Sequence, residues 1–150
     1  MRRPLLARPH ILGFLFFAVI LASLKPVALS ADRQITDPRS WADGIVRLFA
    51  MGDIKELTDE LFESSGGHIT REKISASVSV LAPMVAQSGP FRASDLIAEK
   101  RYGQSIAAFW YYVRFEKQEM FMHLRLFKRG TYWQVNNFRF NTDFDKIDAP

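Results

Sequence analysis

Apolar positions change their spacing once along the chain, and this change divides it into a helical half and a strand half. Between residues 37 and 88 they recur every three or four positions, which predicts amphipathic helices. From Phe91 onward they alternate with polar positions, which predicts β-strands. The segment before residue 32 shows neither pattern.

Three helices are predicted in the first half, and each has a capping residue at its start. Asp37, Asp53 and Thr70 precede the three apolar stripes. Short polar side chains at these positions accept hydrogen bonds from N–H groups that have no partner within the helix. Gly52 is expected to end the first helix, and Pro83 is expected to kink or shorten the third.

Four strands are predicted in the second half, over residues 92–102, 105–116, 119–128 and 131–142. Two-residue turns at Lys117-Gln118 and Arg129-Gly130 would join the last three of them. The second turn is the stronger prediction because glycine tolerates a positive φ.

The register that follows from these turns places apolar side chains on one face of the sheet. It sets Leu126 opposite Trp133, for example, and a slip of one residue would destroy the pattern. A β-bulge near Asn136-Asn137 is then needed to return Phe138 to the apolar face. This face is the predicted core, covered by the three helices.

The opposite face of the sheet is the predicted interaction face. An exposed sheet face ordinarily carries Thr, Lys, Glu and Ser, whereas aromatic side chains with a few polar donors are typical of a contact surface. We expect this face to lie at the centre of a homodimer. It consists of the row Tyr112, His123 and Asn136, the row Trp110, Arg125 and Gln134, and Phe127.

Three stretches of the strand half resemble a known group of proteins. They are Tyr102-Gly103-Gln104-Ser105, residues 111–116 and residues 133–140, the last with the pattern Trp-x-Val…Phe-x-Phe. With three preceding helices they resemble the NTF2-like superfamily, and in particular small secreted bacterial domains. The resemblance implies an α+β fold in which three N-terminal helices pack on a curved four-stranded antiparallel sheet, forming a cone. It also implies a pocket between helices and sheet and frequent dimerisation, but no reaction.

The first 31 residues have the layout of a secretory signal peptide. Arg2, Arg3 and Arg8 precede an uncharged apolar run, residues 11–24, and small residues follow at 28–31. The run is shorter than the roughly 20 residues that span a bilayer. We therefore expect cleavage near Ala31, a single domain over residues 32–150, a periplasmic or secreted location, and no membrane contact after cleavage.

Composition narrows the classes of partner. The chain has 20 Lys and Arg against 16 Asp and Glu, and 16 of each sign remain once the four basic residues of 1–31 are removed. Nucleic-acid-binding domains are usually basic, so no nucleic-acid partner is expected. Without cysteine, and with only His68 and His123 in the mature chain, no metal or other cofactor is predicted.

Two functions from different classes fit these observations. The first is a secreted or periplasmic non-catalytic module that self-associates or binds a small apolar ligand or a protein partner. The alternative is a small enzyme of NTF2-like type that uses His123 as a general acid/base, oriented by Tyr112 or Asn136. No other catalytic residue is assigned. A concave pocket around His123 would favour the enzyme, and a convex face against a second subunit would favour the module.

Overall fold

In the computed structural model, which describes residues 33–147, three helices pack on one face of a four-stranded antiparallel sheet. The predicted α+β fold is confirmed, whereas the predicted signal peptide lies outside the described residues. The helices are α1 (Pro38–Met51), α2 (Ile54–Ser64) and α3 (Arg71–Ser88). The strands β1 (Phe91–Tyr102), β2 (Ile106–Phe115), β3 (Glu119–Arg129) and β4 (Tyr132–Asn141) are neighbours in that order, and a 3-10 helix, Phe144–Ile147, follows.

The predicted helix starts are confirmed. The side chains of Asp37, Asp53 and Thr70 each accept a hydrogen bond from a backbone N–H two or three residues further on. These bonds satisfy donors that have no partner within the helix. Gly52 ends α1 with φ of 71°, in the left-handed region that a residue with a side chain rarely adopts.

Of the two effects predicted for Pro83, a kink or a shorter helix, the shorter helix is wrong, because α3 continues through Pro83 to Ser88. Proline removes one hydrogen bond of the helix, and core packing on both sides of it holds the segment helical. Leu81 is buried before the proline, and Met84 and Val85 pack against the core after it. Neither α3 nor any other helix of residues 33–147 is long and apolar enough to cross a membrane.

The β2–β3 hairpin keeps the predicted faces but has a different turn. Its turn residues are Glu116-Lys117 rather than Lys117-Gln118, so that every pair shifts by two positions. The cause lies outside the hairpin: the N–H groups of Glu116 and Lys117 donate to the carbonyls of Pro90 and Ser88. A shift of two positions preserves which face each side chain takes.

The β3–β4 turn is displaced in the opposite direction and lies one residue later than predicted, at Gly130-Thr131, with Gly130 at φ of 62°. A glycine at the first turn position suits the tight turns that match the twist of a hairpin. As a result Trp133 pairs with Lys128, and the predicted pair with Leu126 is wrong.

The predicted β-bulge in β4 is confirmed. Asn136 is an extra residue between the partners of Leu126 and Arg125. Phe138 and Phe140 consequently return to the inner face of the sheet, where both pack against the core.

The main core lies between this inner face and the three helices. Phe49 of α1 lies within it, with its ring edge-on to Phe115 at 5.9 Å and stacked on Phe140 at 5.2 Å. Burial of such aromatic side chains supplies much of the hydrophobic stabilisation of a small domain.

A second, smaller apolar cluster lies on the outer face of the sheet. Ala108, Trp110 and Ile147 are buried there, and Phe121 and Phe144 pack against them. The C-terminal 3-10 helix therefore covers part of the outer face. The sequence pattern indicated no element after β4.

Candidate functional site: a cleft between α1 and β1

The predicted interaction face is closed at its centre. Trp110 and His123 pair across β2 and β3 and are 3% and 1% exposed. Their rings are stacked, with centroids 4.4 Å apart and planes 6° apart. Ile147 of the C-terminal 3-10 helix belongs to the same buried cluster as Trp110. The expectation that these two side chains lie on an open surface is therefore wrong.

The other five residues of that face are half-buried: Tyr112, Arg125, Phe127, Gln134 and Asn136. The shifted register separates the two predicted rows, because Tyr112 now pairs with Phe121 and Phe127 pairs with Gln134. Asn136 is the bulge residue. The Gln134 amide lies against Gly66 of the α2–α3 loop, where a Cβ atom would clash with it.

His123 is not placed for acid–base catalysis. A general base must come within hydrogen-bonding reach of its substrate, directly or through one water. The His123 ring is buried against Trp110, and it is not among the residues that line the α1–β1 cleft or the clefts beside α3 and α2. Within residues 33–147, no three His, Asp or Glu side chains are grouped so that they could hold a metal ion.

A cleft between α1 and β1 is the better candidate for a functional site. Its volume is about 380 Å³, within the range of about 300–1,000 Å³ that ligand pockets usually have. Its lining is half apolar and half polar, and the apolar half comes from α1 and β1: Val46, Ala50, Met51, Phe91 and Leu96. The cleft opens at β1, which is an edge strand of the sheet.

The floor of this cleft is a chain of polar contacts. The Tyr111 hydroxyl donates a 2.6 Å hydrogen bond to Oδ1 of Asp43. Nε of Arg39, one turn earlier on α1, lies 3.1 Å from both carboxylate oxygens of Asp43. Arg39 also reaches Oε2 of Glu99 at 3.5 Å, and Arg101 donates to the other Glu99 oxygen at 2.9 Å. Positive and negative groups thus alternate from Arg101 to Asp43.

This arrangement keeps the Tyr111 hydroxyl protonated. Burial is the largest cause that raises its pKa, and the hydrogen bond to Asp43 raises the pKa further. Burial alone would lower the pKa of Arg39, but its interactions with Asp43, Tyr111 and Glu99 together raise that pKa above its ordinary value. The floor is therefore a fixed network in which the Tyr111 hydroxyl and the Arg39 guanidinium both donate to the Asp43 carboxylate.

Arg47 lies one turn beyond Asp43 on α1 and is the remaining charged side chain of the cleft. Its side chain is exposed, and it forms no ion pair with any residue of the described chain. It differs in this respect from Arg39, whose guanidinium contacts two carboxylates.

The sequence analysis missed this site because it assigned the face of β2 that carries Tyr111 to the core and made no prediction for Asp43. Two signals could have found it. A tyrosine on a core face needs a partner for its hydroxyl. In addition, Arg39, Asp43 and Arg47 follow one another at intervals of four, which places all three on one stripe of a helix.

Two solved structures share this architecture. "Putative NTF2-like transpeptidase" from Campylobacter jejuni superposes with a TM-score of 0.53 and 17% identity, over 66% of this chain and 96% of that chain. "Putative calcium/calmodulin-dependent protein kinase type II association domain" from Thiobacillus denitrificans has a TM-score of 0.50 and 10% identity, over 72% and 96%. No protein-family model and no curated protein matches the sequence. The chain therefore has the NTF2-like fold, as its sequence resemblance predicted.

Proposed function

We propose that this chain is an exported, non-catalytic binding module whose ligand site is the cleft between α1 and β1. The observation that carries this proposal is that the polar groups on the floor of the cleft already form hydrogen bonds with one another. Asp43 accepts hydrogen bonds from both Arg39 and Tyr111, and these groups are committed to one another. Groups bound to one another in this way fix the shape of the cleft, whereas catalysis requires an acid or base that can exchange a proton with the substrate.

Exposed apolar side chains at the rim of the cleft favour a small, mostly apolar ligand. Met51 is 65% exposed and Phe91 is 43% exposed, and both line the cleft. Covering apolar surface contributes about 25 cal/mol per Å². A ligand that covers these two side chains and the walls behind them would gain most of its affinity in this way.

A cleft-filling substitution tests the proposal. Ser94 lines the cleft, and its partner across the strands, Val113, is buried in the core. Asp95, the next residue, pairs with Tyr112 on the outer face. Ser94→Trp should abolish binding of a neutral hydrophobic dye such as Nile red, and Asp95→Trp should leave it unchanged. Equal dye binding by both folded variants would place the ligand site elsewhere.

The exported location rests on residues 1–31, with their basic start, apolar run and small residues before Asp32. Sequencing the N-terminus of protein from the exported fraction tests it. A start at Ala31 or Asp32 is expected, and intact Met1 in a membrane pellet would contradict cleavage.

We also infer self-association through the open half of the outer sheet face. Tyr102, Ile106, Phe127 and Gln134 form one row across the four strands, away from the C-terminal 3-10 helix. The formal charges of residues 32–150 cancel, which leaves little long-range repulsion between two copies. One solved structure of this fold is named as an association domain, which agrees with this second role.

A further inference from the structure

We infer that the ligand of the α1–β1 cleft is a small amphiphilic anion, with a carboxylate bound by Arg47 and an apolar tail along the C-terminal half of α1. This inference rests on the proposed function of the cleft as a binding site. It adds the chemical class of the ligand and the direction in which it lies.

The charged side chains in and beside the cleft leave one positive charge in excess. Arg39 and Arg101 are matched by Asp43 and Glu99, with which they form a continuous chain of ion pairs. Arg47 adds one positive charge, which no carboxylate of the described chain pairs with. The ligand that complements this excess carries a single negative charge.

The chemistry of arginine narrows the class of anion. A guanidinium is planar and presents two parallel N–H groups, which match the two oxygens of a carboxylate. Apolar side chains, Ala50 and Met51, line the same cleft about one turn beyond Arg47. A carboxylate at the end of an apolar chain satisfies both features.

The order of residues along α1 sets the direction of the tail. Ala50 and Met51 follow Arg47 by about one turn, roughly 6 Å along the helix axis. Phe91 of β1 lies near the same half of α1, because its ring contacts Phe115, which contacts Phe49. In the other direction, one turn before Arg47, lies the carboxylate of Asp43. A bound carboxylate is repelled from Asp43, so the tail lies between Met51 and Phe91.

A cationic ligand is the opposite case, and the geometry disfavours it. Asp43 is the acidic residue that lines the cleft, and both of its oxygens already lie 3.1 Å from Arg39. A cation would have to compete with this contact and would also be repelled by Arg47.

Three probes of equal chain length test the inference: octanoate, 1-octanol and octylammonium. Titration calorimetry at neutral pH should show octanoate binding about tenfold more tightly than octanol, since a charge-assisted hydrogen bond contributes about 1.5 kcal/mol or more. Octylammonium should bind more weakly than either. Arg47→Gln should remove the preference for octanoate and leave octanol binding unchanged. Arg114→Gln, the same change on the outer face, is the control and should keep the preference.

The outcomes separate this inference from the proposed function. Equal binding of octanoate and octanol to the wild type, or a full preference retained in Arg47→Gln, would overturn the anion inference and leave the cleft as a binding site. Met51→Gln should weaken octanoate and octanol equally, and no effect on either would overturn the direction of the tail. Failure of all three probes, with dye binding unaffected by Ser94→Trp, would overturn the proposed function itself.

Discussion

The Tyr111 hydroxyl donates a hydrogen bond of 2.6 Å to Asp43 although 68 positions separate the two residues in sequence. This contact joins the middle of β2 to the middle of α1. It spans the floor of the cleft and fixes the distance between helix and sheet. The bond is therefore part of both the stability of the fold and the shape of the candidate site.

Tyr111→Phe should destabilise the protein by about 1–2 kcal/mol, the contribution of a partly buried hydrogen bond to a charged acceptor. The midpoint of urea unfolding measures this change. Tyr102→Phe is the control, because Tyr102 is 52% exposed on an edge strand and should lose almost nothing. Equal midpoints for the two variants would mean that the Tyr111 bond adds no stability.

The raised pKa of Tyr111 predicts a loss of stability at alkaline pH. The folded protein holds this proton above the pKa of about 10 that an unfolded tyrosine has, so the unfolded chain loses its proton first as pH rises. The stabilisation is complete below that pH and falls above it, by at most about 1.4 kcal/mol per pH unit. Between about pH 9 and pH 11, the free energy of unfolding should fall less steeply with pH for Tyr111→Phe than for the wild type. Parallel curves would contradict the raised pKa.

The sequence predicted correctly which face of the sheet each strand side chain takes, but not which residues pair across the strands. Alternation with period two identifies which face Phe109 and Leu124 take, and it cannot distinguish registers that differ by two positions. That choice depends on the carbonyls of Ser88 and Pro90, which are distant in sequence from the turn they hold. The bulge at Asn136 was predictable because an uncorrected strand would have placed later aromatic residues on the wrong face.

The candidate site was less predictable than the fold. Capping residues such as Asp37 act on backbone groups two or three positions away, so a local pattern reveals them. The Tyr111–Asp43 contact depends on how far α1 lies from β2, which no local pattern specifies. The burial of Trp110 depends likewise on the segment Phe144–Ile147, which packs in the same cluster and whose four residues are too few to predict an element from their pattern.

Trp133→Ala should cost about 3–5 kcal/mol, as large-to-small core substitutions do. The indole is 8% exposed, and the guanidinium of Arg101 lies 5.4 Å and Nζ of Lys128 5.8 Å from its ring. Tyr132→Ala, the preceding half-buried residue, should cost less than half as much. Chemical denaturation compares the two, and similar losses would show that Trp133 does not belong to the core.

Deleting residues 144–150 should expose Trp110, because the C-terminal 3-10 helix packs against the same cluster. The expected result is a shift of tryptophan emission to longer wavelength with an unchanged far-ultraviolet circular dichroism spectrum. The same deletion in a Trp110→Phe background is the control and should give no shift. A shift of equal size in both backgrounds would place the change at Trp41 or Trp133 instead.

Phe127→Glu should convert a dimer into a folded monomer. A two-fold axis through the open half of the outer face would place the row of Tyr102, Ile106, Phe127 and Gln134 against the same row of the second copy. A carboxylate in the centre of such a contact lacks a partner and loses its water, which costs several kcal/mol.

Tyr112→Glu makes the same kind of change at the other end of that face and should leave the dimer intact. Sedimentation velocity at tens of micromolar measures both. A monomeric wild type would rule out the dimer, and a dimer that survives Phe127→Glu would place the interface on another surface.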